Sequence, residues 1–190
     1  MNDILAITTS HAAGWNAYGK RMALAWAEHW PVPLTVYTER FTVKDMPGIV
    51  AEDLTSIGWL RSFKVHHPYR VNDHRIPEAS RNRYNFKFDA PRFAHKTAAV
   101  IHAGMRSQHK WLIWCDADTI THRGVPQTFV EALLPQGDEY IAWLDREGNY
   151  PECGFYILNL EHPGHVPLMA EWQRLYMTGE IHRLPEWHDS

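Results

Sequence analysis

The stretch Trp111-Leu-Ile-Trp-Cys-Asp116-Ala-Asp118-Thr119 decides how this chain is read. Four large apolar residues in succession read as a strand buried on both faces, as inside a parallel sheet. Two carboxylates follow at its carboxyl end, where open α/β sheets hold their ligands. In an extended tail, residues i and i+2 point the same way, so Asp116 and Asp118 are expected to converge on one cation. Hard oxygen ligands suit Mg²⁺ or Mn²⁺, and such an ion in turn holds phosphates. A solvated turn is the common fate of an Asp-x-Asp pair, and the strand ahead of this one favours a site.

Upstream, Ile4–Thr8 reads as a first strand, followed by the turn-like Thr9–Gly14. Asn16–Trp30 reads as a helix stopped by Pro31 and Pro33, and Leu34–Tyr37 as a second strand. This β-α-β opening implies a parallel sheet with a right-handed crossover. Its first loop is a ligand position, but it lacks both the Gly-x-Gly-x-x-Gly dinucleotide fingerprint and the phosphate loop ending in Gly-Lys-Ser/Thr. Residues 61–88 are polar and basic, and read as either a solvated loop or a mobile active-site segment.

Asp89-Ala-Pro91 predicts a helix start, with the helix running to about Arg106. Arg92, Lys96, Ala99 and Ala103 share one face of it. Arg92 and Lys96 are one turn apart, so they either reach a common phosphate or form a solvated charged face. Downstream, Pro126–Leu134 reads as a helix, and Tyr140–Leu144 and Gly154–Leu158 as strands. Tyr150-Pro-Glu152-Cys153 leads into the last of these. Val166, Met169, Trp172 and Tyr176 recur at helical spacing before a stop at Gly179, which reads as core packing.

With 190 residues, 45% of them hydrophobic and 22% charged, the expectation is one well-buried domain spanning 1–190. No run of eighteen apolar residues is present, so no membrane span is expected. The start Met1-Asn2-Asp3 lacks the basic and apolar regions of a signal peptide. Only Cys115 and Cys153 occur, without metal-binding spacing, and a reduced cytoplasmic protein is expected. The net charge of −3 is uneven: residues 61–110 hold eleven Lys/Arg against three Asp/Glu, a balance of +8. Residues 1–60 carry −2 and residues 111–190 carry −9. A basic middle with acidic flanks fits a discrete phosphorylated ligand and argues against a nucleic-acid footprint.

The order of parts resembles a GT-A glycosyltransferase, the nucleotide-diphospho-sugar transferase fold, and most of all its glycogenin-like and related small bacterial or phage branches. The resemblance rests on the strand end Ile7-Thr8-Thr9, the helix motif Arg92-Phe-Ala-His-Lys96, and Trp114-Cys-Asp116-Ala-Asp118-Thr119. It also rests on Glu152-Cys-Gly154-Phe-Tyr-Ile-Leu-Asn159-Leu160 and the terminal Glu186-Trp-His188-Asp189. It implies one α/β domain of GT-A (Rossmann-like) type, with a mostly parallel central sheet flanked by helices and Asp116 just past a central strand. It further implies a transferase moving a sugar from a nucleoside diphosphate donor, a uridine one foremost, to an acceptor sugar, glycan, protein or small molecule.

Carried onto this chain, the resemblance makes Asp116, Asp118 and His188 ligands of Mn²⁺ or Mg²⁺. Thr8, Thr9 and Tyr18 would hold base and ribose, and Arg92, Lys96 and Asp116 would sit near phosphates or ribose. The strand from Gly154 would border the acceptor, which singles out Glu152 for acceptor binding, general base work or charge stabilisation. Glu152 could equally be an ordinary turn carboxylate, and His188 a frayed tail oriented by no partner rather than by Glu186 or Asp189. Two departures from the pattern stand out: Glu152-Cys153 precedes the glycine where relatives show Asn or a small polar residue, and the chain stops at Ser190. A fragment or a minimal version is therefore expected. Two rival readings remain. One is a haloacid-dehalogenase-type phosphohydrolase, whose strand-end Asp-x-Asp needs Thr or Val at position 120, where this chain has Ile. The other is a binding module without turnover.

Overall fold

The structure, a computed structural model, describes residues 3–148 and 151–188. Tyr150 and Asp189, each named above beside a candidate carboxylate or histidine, lie outside the described residues. Six strands form one sheet: β1 (Ile4–His11), β2 (Leu34–Glu39), β3 (Ile49–Asp53), β4 (Trp111–Cys115), β5 (Ile141–Leu144) and β6 (Glu152–Asn159). Their spatial order is β3-β2-β1-β4-β6-β5. β1 pairs in parallel with β2 and β4, and β2 with β3, while β6 runs antiparallel to β4 and β5. The sheet is thus mostly parallel, with β6 alone reversed.

Among the described residues, five α-helices longer than a single turn cover it: α1 (Lys20–His29), α2 (Gly58–His66), α3 (Ala90–Arg106), α4 (Gln127–Leu133) and α5 (His165–Met177). Alternation along β4 shows how the layers form. Leu112 and Trp114 face a core shared with Leu60 and Phe63 of α2, Ala94 and Ala98 of α3, and Met169 and Tyr176 of α5. Ile113 and Cys115 face the opposite core, with Met22 and Trp26 of α1 and Val130 of α4. Leu112 and Ile113 are both fully buried, which is why this strand reads as a continuous apolar run.

Most of the expected elements are present. Asp89 caps α3 by accepting the Arg92 N–H at 3.2 Å, and Pro91 sits in the first turn. Three expectations are corrected and one strand is added. The first helix begins at Ala12, not Asn16, because His11 caps it through Nδ1, and it passes through a π-helical turn at Trp15–Gly19 before α1. The basic segment 61–88 is not a plain loop: α2 occupies its start, and 3₁₀ turns lie at Glu78–Ser80 and Phe86–Phe88. β3 was not foreseen, since it is an edge strand with four of its five residues exposed. Val166 of the predicted core stripe is 56% exposed, while Met169 and Tyr176 are buried. No described helix is long and apolar enough to cross a membrane.

Candidate functional site

The chain leaves β1 toward β2 on one side and returns to β4 on the other, so the carboxyl ends of β1 and β4 flank a topological switch point. A cleft opens there. Thr9, Ser10, His11 and Tyr18 come from β1 and the helix after it, Glu39 from β2, and Trp114, Asp116 and Asp118 from β4 and its turn. Arg92, Phe93, His95 and Lys96 of α3 close the wall opposite.

The Asp pair reaches the cleft by a route other than the one expected. Residues 116–119 form a turn closed by the Thr119 N–H donating to Asp116 O at 3.1 Å, rather than an extended tail. Asp116 is pinned from three directions. Its N–H donates to Gly154 O at 2.8 Å, Trp114 Nε1–H donates to Oδ1 at 2.7 Å, and Lys96 Nζ lies 3.5 Å from the same oxygen. Asp118 is exposed on the cleft wall. Cys115, between strand and pair, has its thiol pushed up to about 12, chiefly by burial and also by the two carboxylates, so it stays neutral.

Lys96 is 7% exposed, rare for a cation without dedicated partners. Its ammonium donates to Cys153 O and lies over the Trp114 and Tyr156 rings, 5.0 and 5.5 Å from their centroids. Carbonyl, carboxylate and two π-faces together offset its desolvation. Arg92, one turn earlier, is exposed at the cleft mouth and donates to Tyr84 Oη at 3.1 Å. Of the two residues proposed for one phosphate, one is therefore a fixed buried charge and the other a mouth residue.

Gly154 joins Asp116 to Glu152. A Cβ there would lie 3.1 Å from Glu152 Oε1 and 3.3 Å from Asp116 Oδ2. Glu152 Oε1 accepts the Gly154 N–H at 2.8 Å, and Oε2 pairs with Arg146 at 3.1 Å. Glu152 lines not the cleft but a larger apolar pocket beside it, which shares the Lys96 wall.

His188 also lines that second pocket; it bonds Glu186 Oε2 at 2.6 Å and packs near Phe86 and Phe93. The tail is docked through Trp187, which is 3% exposed. Among the described residues, no group of three His, Cys, Asp or Glu is arranged to hold a metal ion, so His188 is not gathered with the Asp pair here. Thr9 and Tyr18 line the cleft, whereas Thr8 is buried at 2% exposure and does not.

Two cleft residues were not singled out from sequence. Glu39 and His95 Nε2 meet at 3.3 Å, and Lys64 donates to Glu39 with its ammonium 2.8 Å from the same His95 nitrogen. The His95 hydrogen bond, opposed by burial and reinforced by Lys64, holds the Glu39 carboxyl down at about 2. The available signal was position, since Glu39 ends β2 and strand ends are where such sheets bind ligands.

No family model matches the chain, and no curated protein matches it in sequence. Solved structures do match it in shape. Mouse xyloside xylosyltransferase 1 superposes with TM-score 0.55 at 13% identity, over 95% of this chain and 75% of that one. The galactosyltransferase LgtC, solved with donor and acceptor sugar analogues, gives TM-score 0.52 at 12% identity, over 96% and 67%. The glycosyltransferase GlyE of Streptococcus pneumoniae TIGR4 gives TM-score 0.50 at 12% identity; 99% of this chain is covered, but the chain spans only 40% of GlyE. The fold is that of the GT-A glycosyltransferases.

Proposed function

We propose that this protein is a glycosyltransferase that takes its sugar from a nucleoside diphosphate donor, a uridine one foremost. The observation that carries the proposal is the meeting of Asp116, Asp118 and the buried Lys96 at the switch point of a GT-A sheet. Two carboxylates and one fixed ammonium suit a diphosphate whose charge must be held and then released. That the structural neighbours are sugar transferases, LgtC among them, supports the same reading.

Asp116 and Asp118 offer the hard oxygens that Mn²⁺ or Mg²⁺ prefers, and both line the cleft, which supports a place for such an ion between them and the donor diphosphate. When bound, the ion supplies charge neutralisation for the departing diphosphate. Lys96 adds a cation that cannot swing away, because Cys153 O and the Trp114 and Tyr156 rings hold it. Thr9 and Tyr18 are assigned to the nucleoside side of the cleft, and Arg92 to its mouth. In transfer, the bond from the anomeric carbon to the diphosphate oxygen breaks and a bond to the acceptor oxygen forms. The acceptor hydroxyl then gives up its proton. Glu152, on the acceptor side, is assigned to bind that hydroxyl and take the proton.

Product analysis separates the alternatives: acceptor-dependent release of nucleoside diphosphate with a glycosylated product supports transfer. Phosphate release alone supports a phosphohydrolase, and donor binding without any product supports a binding module. With an acceptor found, Glu152→Gln is expected to lower turnover tenfold or more at unchanged donor affinity. Turnover within a factor of about two of wild type would remove Glu152 from the chemistry.

A further inference from the structure

The pocket beside the cleft is the larger of the two, about 610 Å³ against about 170 Å³, a volume within the range of small-molecule sites. Its walls are apolar and aromatic: Trp143 of β5, Tyr156 of β6, and Leu168, Trp172 and Leu175 of α5, with Leu184 at the rim. Trp143, Leu168 and Leu184 are 47%, 44% and 45% exposed, so a continuous apolar concavity faces outward. Among the described residues, four acidic or basic side chains line it. Lys96 is shared with the cleft and Glu152 stands beside it across Gly154, while His188 lies on the tail and Glu171, on α5, is bonded to Arg174 at 2.7 Å.

This distribution has a consequence for the acceptor. A nucleophilic hydroxyl must reach the donor's anomeric carbon, which lies beyond the diphosphate held by Asp116 and Lys96. The acceptor's body must then extend away from the nucleoside, and the concavity that shares the Lys96 wall runs that way. A body made only of hydroxyls would find no hydrogen-bond partners on Leu168, Leu175 and Leu184 and would leave their apolar surface uncovered. We infer that the acceptor is amphipathic: a hydroxyl-bearing head at Lys96 and Glu152, and an alkyl or aryl aglycone seated against Trp143, Trp172 and Leu168. This rests on the sugar-transfer reading and goes beyond it by naming the acceptor's chemical class.

Calorimetric titration of the whole chain with n-octyl β-glucoside below its micelle concentration, p-nitrophenyl β-glucoside and free glucose tests the inference. UDP with Mn²⁺ is titrated in parallel. The expected result is binding of one or both hydrophobic glycosides at least tenfold tighter than glucose. Preference for octyl over nitrophenyl marks a lipid-like aglycone, and the reverse an aromatic one. Trp143→Ala and Leu168→Asp, both at exposed positions that leave the core packed, should each weaken that binding fivefold or more while UDP affinity holds. Glycosides that bind no better than glucose, or unchanged binding in both variants, overturn the inference even where UDP binds. So does a dimer in sedimentation that binds no glycoside, since a second copy then fills the concavity. Failure of UDP to bind, with the glycosides still bound, overturns the transfer reading and the acceptor role with it.

Discussion

Gly154 is the residue on which the two halves of the site meet. Its missing side chain lets the β6 backbone approach Asp116 and Glu152 together, and a methyl group would press on both carboxylates. In a strand, alanine is otherwise no worse than glycine, so Gly154→Ala isolates this close approach from propensity. Donor turnover is expected to fall at least tenfold while unfolding free energy, read by denaturant titration, changes by less than about 1 kcal/mol. Full activity in the variant would show that the two carboxylates need no such register. The position of the Asp pair at the cleft was legible in the sequence, because residues that follow a buried strand come out at the carboxyl edge of the sheet. The geometry of the pair was not: a turn at 116–119 replaces the extended tail, since local hydrogen bonding takes over once the last bond to β6, from the Asp116 N–H to Gly154 O, has been made. Glu39 and His95 were likewise hidden, because their meeting depends on a strand and a helix some fifty residues apart.

Among elements, those with their signals inside their own span were readable. Asp89 and Pro91 announce α3, and the apolar runs announce β4 and β6. β3 and α2 were not, since an exposed edge strand and a short helix in a basic stretch derive their order from neighbours: Leu60 and Phe63 of α2 are buried against α3 and α5. The 3₁₀ turn Glu180–Arg183 likewise docks through a tertiary contact. His182 packs against Phe63, His67 and Trp187, and burial first, then Arg75, holds its imidazole down at about 4. A histidine held neutral in the fold but titrating near ~6.5 when unfolded binds more protons unfolded across that interval. Stability is therefore complete above the unfolded value and lost as pH falls toward about 4. Denaturant unfolding should show His182→Gln losing less stability than wild type between pH 7 and pH 5, by roughly 1.5 kcal/mol. Parallel pH dependence in the two proteins would mean that this tail is docked without regard to the charge on His182.

For the molecule as a whole, sheet order joins the sites. β1 and β4 run side by side, so the first strand's loop and the Asp turn face one cleft, and the reversed β6 brings Glu152 back beside them. The β-α-β opening predicted the parallel half of this sheet, but nothing local predicts that β6 reverses, because its apolar run reads alike in either direction. The proposed division follows from that topology: nucleoside and diphosphate on the β1/β4 side, acceptor on the β6/α5 side, with Lys96 between them. The claim beneath this division is that Asp116 and Asp118 hold a cation that holds the donor. Titration of UDP into wild type and Asp118→Asn, each with and without Mn²⁺, tests it most directly. Mn²⁺-dependent binding is expected in wild type, seen also as a stabilisation of about 2.7 kcal/mol at a hundred times the dissociation constant, and its loss in the variant, which keeps the shape but not the charge. UDP bound equally well by Asp118→Asn in the presence of Mn²⁺ would contradict it.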